Sequence, residues 1–149
     1  MSSRGVTAAE YRALAEFRHR LRRFLRFSEH AARGAGLEPR QHQLLLAVRG
    51  MPAPGAATIG ALAERLQLRH HSTVELVDRM EAAGLVRRSR PDDDRRRVVV
   101  ALTRRGEALL ARLSRAHQTE LRTVAPRLLV ALHALVGDAP RASGSRAGR

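Results

Sequence analysis

The sequence predicts a mainly α-helical fold with a small β-hairpin, and three stretches between Thr58 and Thr103 carry that expectation. Leu62, Ala63 and Leu66 recur at helical spacing after Thr58, whose hydroxyl can cap the helix. Val74, Val77, Met80 and Leu85 form a second apolar stripe a few residues on, with Gly84 as its left-handed terminator. The runs 85–90 and 98–102 then alternate or are β-branched, around the turn residues Pro91, Asp92, Asp93 and Asp94. Two short helices at this separation make a helix-turn-helix, and a hairpin directly behind the second helix is a wing.

The rest of the chain reads as helices flanking this unit. Thr7 can cap a first helix running to about Arg33, ended by Ala35 and Gly36, with residues 1–6 frayed. Tyr11, Leu14, Phe17, Leu21, Phe24 and Ser28 give it a narrow stripe suited to packing on another helix. Arg18, Arg22 and Arg26 line a second face, read as solvated, with a DNA contact as the alternative. Pro39 sits at the preferred first-turn position of the next helix, whose run Leu44, Leu45, Leu46 and Val48 is expected to be core. Residues 50–55 are a linker. Thr103 can cap a long helix carrying Leu109, Leu110, Leu113, Leu121 and Val124. Pro126 is expected to break or kink it before a final helix bearing Leu128, Leu129, Leu132 and Leu135.

Composition narrows the partners. The 149 residues suffice for one domain with a single core. All 28 basic residues counted with lysine are arginine, and the net charge is +14. Such an excess calls for a polyanionic partner, of which nucleic acid is the usual one. The absence of cysteine excludes disulfides, thiolate metal sites and thiol-based sensing. No apolar leader and no run near the roughly 20 residues of a membrane span are present, so a cytoplasmic protein is expected.

The run GLVRRSRPDDDRRRVVVALTRRGEALL resembles the wing of the MarR family of bacterial transcriptional regulators. The likeness rests on Asp94-Arg95-Arg96 at the hairpin, Val98 and Val100 after it, and Leu102-Thr103-Arg104-Arg105-Gly106 opening the long helix. It extends from about Leu37 through the C-terminal helices. The resemblance implies an N-terminal dimerisation helix over 1–36 and a winged helix-turn-helix over 37–103. It further implies C-terminal dimerisation helices over 104–136; residues 137–149, rich in Gly, Ser, Ala and Arg, read as a disordered basic tail. It also implies a homodimer on a palindromic operator in double-stranded DNA, acting as a repressor released by a phenolic or anionic small molecule.

Candidate DNA contacts follow from position and chemistry. Arg69, His70, His71, Ser72 and Thr73 stand at the start of the recognition helix, where Ser72 and free N–H groups suit phosphate oxygens. Arg69 and His71 can reach base edges. Arg79 can bond guanine and Glu75 can accept from cytosine, or the two simply form an exposed i,i+4 pair. In the family likeness Arg96 reaches the minor groove, flanked by Arg95 and Arg97. Arg95 is expected to pair with Asp94 or a neighbouring acid, and the aspartates with Arg88, Arg90 and Arg97. The resemblance places an effector pocket near Phe17, Arg23, Phe24, Phe27, His30 and His42, the last standing where the family usually has a large apolar residue.

Other classes find less support. No cofactor is expected, and no metal, since the adjacent His70 and His71 face different ways and no ligand spacing appears. His117 reads as a core or interface residue. An enzyme would need a nucleophile with its triad or a Gly-rich phosphate loop, and neither is present. An architectural DNA-binding protein of low sequence specificity is the alternative that the arginine excess also fits.

Overall fold

The computed structural model describes residues 5–137. In order they form α1 (Ala8–Gly34), α2 (Pro39–Arg49), α3 (Ile59–Leu66), α4 (His70–Ala82), β1 (Val86–Ser89), β2 (Val99–Leu102) and α5 (Arg104–Val136). The basic-tail expectation falls almost wholly outside these residues, as does most of the N-terminal fraying.

Local chemistry sets the helix starts. Thr7 Oγ1 accepts from Glu10 N at 3.2 Å while Thr7 N donates to Glu10 Oε2 at 2.6 Å, a reciprocal cap on α1. Pro39 opens α2, and Gln41 Oε1 accepts from Glu38 N at 2.9 Å. Thr58 Oγ1 accepts from Ala61 N at 3.2 Å to start α3. Thr103 does the same for α5, accepting from Gly106 N at 3.1 Å while donating to the Gly84 carbonyl at 2.7 Å. That bond joins the end of the recognition helix to the start of the long one. Gly84 takes φ +72° after α4, a left-handed conformation that a Cβ would strain.

The chain divides into two compact units. One is Ser28–His117; the other joins the chain up to Phe27 with the chain from Gln118 onward. The core of the first unit is built from α2, α3, α4 and the hairpin. Leu44, Leu45, Leu62, Val77 and Met80 are fully buried there, with Leu110 and Leu113 of α5 nearly so. Leu46 is 52% exposed, because it turns off the face shared by its neighbours. The strands are shorter than expected and pair antiparallel, with Val86 opposite Leu102 and Ser89 opposite Val99. Just past the linker, Ala57 O accepts from Val100 N at 2.9 Å and Thr58 bridges to Val99, covering the free edge of β2.

In the second unit, Val124 and Ala131 are buried, whereas Leu129, Val130 and Val136 are exposed, as are Tyr11 and Leu14. The stripe on α1 is therefore only partly covered within the chain. The break expected at Pro126 does not occur: α5 is a single helix from Arg104 to Val136 with the proline inside it. A proline removes one N–H and crowds the carbonyl four residues back. In a helix of 33 residues, flanked here by buried Val124 and Ala131, that local loss does not end the helix.

Candidate nucleic-acid interface

The helix-turn-helix is closed by an unusual residue. Gln67 ends α3 at φ +54°, a left-handed conformation costing a non-glycine residue about 1–2 kcal/mol, and its Nε2 donates to the Glu64 carbonyl at 2.7 Å. Leu68 N donates to the Ala63 carbonyl at 2.9 Å, so the chain reverses tightly before α4. Arg69 is the N-cap of α4 and supplies no side-chain cap. The first N–H groups of the recognition helix therefore have no side chain of Arg69 against them, which suits an anionic oxygen.

The burial pattern sorts the candidate residues. Arg69, His70, His71, Glu75 and Arg79 are exposed and Ser72 is half-buried. Thr73 is a correction: it is fully buried, with Oγ1 donating to the Arg69 carbonyl at 3.1 Å. It lies one helical turn before Val77 and joins the core stripe, so its hydroxyl is not offered to DNA. Glu75 and Arg79 line one groove with Ser72, Leu68 and the start of α2 at Glu38–Gln41, enclosing about 460 Å³. No ion pair joins Glu75 to Arg79 among the described residues.

A second cleft, of about 650 Å³, lies between the start of the recognition helix and the wing. His70 and Val74 of α4 face Arg88, Arg90, Arg96 and Arg97 across it, with Thr58 to Gly60 at its floor. The fold thus gathers His70, Arg96 and Arg97, while Arg69, His71 and Arg95 stand outside both clefts.

The wing's internal bonds differ from those expected of its charges. Arg88 pairs with Asp78 and Glu81 of α4, not with the aspartates of the turn. Burial pulls its guanidinium pKa down, but the two carboxylates outweigh burial and leave it above the ordinary arginine value. Arg90 Nη1 donates to the Arg95 carbonyl at 2.8 Å, bracing the loop from inside. Arg97 Nη2 reaches the Gly55 carbonyl at 3.4 Å. Asp94 Oδ1 accepts from Arg96 N at 3.1 Å, which is turn geometry, and Arg95 meets Asp92 at 3.8 Å, as expected of a neighbouring acid. Arg96 is left exposed with its guanidinium in no ion pair among those described.

The expected effector residues fall in separate units. Phe17, Arg23, Phe24 and Phe27 belong to one and His30 and His42 to the other, and the cavities above are lined by different side chains. His42 is buried rather than pocket-lining, at 4% exposure, with its ring against that of His117. Among the described residues no group of three or more His, Cys, Asp or Glu is placed to hold a metal ion. No described helix is long and apolar enough to cross a membrane.

This arrangement, a capped helix-turn-helix with a basic hairpin beside its second helix, defines a winged helix-turn-helix protein. Residues 35–97, the winged-helix region, match the model of the MarR family. Solved structures share the fold. AbsC, a MarR family transcriptional regulator from Streptomyces coelicolor, is 23% identical with a TM-score of 0.68, over 88% of this chain and 91% of that one. The transcriptional repressor CouR, bound to a 23-mer DNA duplex, is 28% identical with a TM-score of 0.55, over 80% and 78%. A mutant of MarR from E. coli complexed with operator DNA is 22% identical with a TM-score of 0.57, over 74% and 75%. A search of curated protein sequences found no match.

Proposed function

We propose that this protein is a dimeric, sequence-specific DNA-binding transcriptional regulator that represses its targets and is released by a small anionic or phenolic ligand. The observation that carries the reading is the basic cleft where His70 of the recognition helix faces Arg96 and Arg97 of the wing. A major-groove helix and a minor-groove arginine on one rigid unit are what a duplex reader needs. Arg69, His71, Ser72, Glu75 and Arg79 are the proposed contacts along the helix, and Arg95 accompanies Arg96 and Arg97 on the wing.

The dimer draws support from the apolar surface left on the terminal helices, including Tyr11, Leu14, Leu129 and Val130. The segments 1–36 and 104–136 are the proposed dimerisation elements around the DNA-binding region 37–103. A two-fold pair would place two recognition helices about 34–36 Å apart on an imperfect palindrome. A ligand that prefers a dimer with mis-spaced helices would release DNA by linkage. Support for the ligand is the likeness to the family.

The experiment is binding to the DNA flanking the protein's own gene against a scrambled duplex of equal length, at near-physiological salt. A preference of about a thousandfold or more for one palindromic site is expected. Equal affinity for the two, repeated on sites drawn from a random-sequence selection, would instead favour an architectural protein of low specificity.

A further inference from the structure

One side chain ties the wing to the recognition helix. Arg88 lies on β1 opposite Val100. Its backbone N donates to Glu81 Oε2 at 2.8 Å and its Nη1 to Glu81 Oε1 at 3.0 Å. Its Nη2 meets Asp78 Oδ1 and reaches the Val74 carbonyl at 3.4 Å. Val74, Asp78 and Glu81 follow at i, i+4 and i+7, so a single arginine spans two turns along one face of α4.

Charge alone gives no reason for the two acids. A carboxylate on a helix meant to lie against phosphates repels them, and here Asp78 and Glu81 stand on it in addition to Glu75. Their partner explains them. Strands of four residues make a hairpin that is marginal by itself. Beyond Ser89 the loop is held by Arg90 on the Arg95 carbonyl and by Arg97 on the Gly55 carbonyl, neither of which touches α4. Arg88 is the last tie to the recognition helix before the tip.

We propose that Arg88, Glu81 and Asp78 form a positioning clamp that fixes the wing against the recognition helix, so that Arg96 and the helix engage one duplex in a single register. The clamp residues do not contact DNA themselves. The carboxylates are half-exposed, so their contribution to folding is small and their effect is geometric. The inference rests on the DNA-binding reading proposed above.

The test uses Glu81→Ala in the full-length protein, at an exposed helical position where alanine is well tolerated. Removing a negative charge would by electrostatics alone tighten DNA binding. The clamp requires the opposite: affinity for the selected duplex about tenfold weaker, with a shallower salt dependence. In an Arg96→Ala background Glu81→Ala should then cost almost nothing, because the wing contact it positions is already gone. In the absence of DNA, trypsin should cleave after Arg95, Arg96 or Arg97 several-fold faster in Glu81→Ala than in wild type. Asp78→Asn, nearly isosteric, repeats the comparison should Glu81→Ala lower the melting temperature. Tightened or unchanged affinity, additivity with Arg96→Ala, or equal cleavage rates overturn the clamp. Failure of the wild type to bind any duplex would sink the DNA-binding reading instead, and the cleavage comparison would still decide the clamp.

Discussion

The imidazole rings of His42 and His117 lie 4.8 Å apart, tilted by 39°, at the junction of α2 and α5. His117 Nδ1 donates to the Leu113 carbonyl at 2.7 Å, and its Nε2 shares a hydrogen bond with the Ser28 hydroxyl at 2.8 Å. Burial, and after it the neighbouring His117, lowers the pKa of His42. The folded protein therefore holds a proton on His42 less readily than the unfolded chain, where the value is about 6.5. Stability from the neutral ring is complete above about pH 6.5 and is lost as pH falls toward the lowered folded value. Urea midpoints at pH 7.5 and 5.5 should differ more for the wild type than for His42→Leu. An equal pH dependence in the two would remove His42 as its source.

Gly106 is a packing requirement. A Cβ built there would lie 2.1 Å from the Leu85 carbonyl oxygen, at the point where α5 begins beside the base of β1. Gly→Ala within a helix ordinarily stabilises by about 0.5–1 kcal/mol. Here the clash reverses the sign, and Gly106→Ala should destabilise by about 2–3 kcal/mol. Chemical denaturation measures it; a gain in stability would contradict the close approach.

Ser72 and Thr73 are adjacent hydroxyls with opposite assignments. Ser72→Ala should weaken DNA binding about fivefold, the loss of one hydrogen bond of about 1 kcal/mol. Thr73→Val should leave affinity unchanged, because that hydroxyl is buried against the Arg69 carbonyl, which also accepts from Thr73 N. Its cost to stability should stay within about 1 kcal/mol. Duplex titrations on the two variants would show a reversed order if Thr73 faced the DNA.

Arg96 is exposed at the wing and free of ion pairs among those described. Arg96→Ala should weaken binding to the selected site and reduce the slope of log affinity against log salt by about one, with no change in melting temperature. An unaltered slope would take Arg96 out of the interface.

Much of this was readable in the chain because its causes are local. Thr7, Thr58 and Thr103 cap the helices they precede, Gly84 turns at positive φ, and Val99 and Val100 open β2. Each depends on a few neighbouring residues. The errors also share a cause. Thr73 looked like a contact because hydroxyls at a helix start suit phosphate, yet its spacing to Val77 and Met80 placed it on the core face. Of the break or kink expected at Pro126 from its disruptive local effect, the break does not occur, because its neighbours in α5 continue the helix. The pairing of Ala57 and Thr58 with β2 is not readable locally, because nothing in those residues indicates which strand will return beside them.

The sequence by itself determined the order of elements, the helix-turn-helix with its basic wing, and the arginine excess that calls for a polyanion. Periodicity, caps and net charge are properties of the chain that need no knowledge of what folds against what. Only the tertiary structure decided that Arg88 serves Asp78 and Glu81 rather than the acidic turn nearer to it in sequence. It alone brought His42 against His117. An ion pair or a ring contact is selected by distance in space, and the packing of β1 beside α4 makes the nearer acids those on the helix.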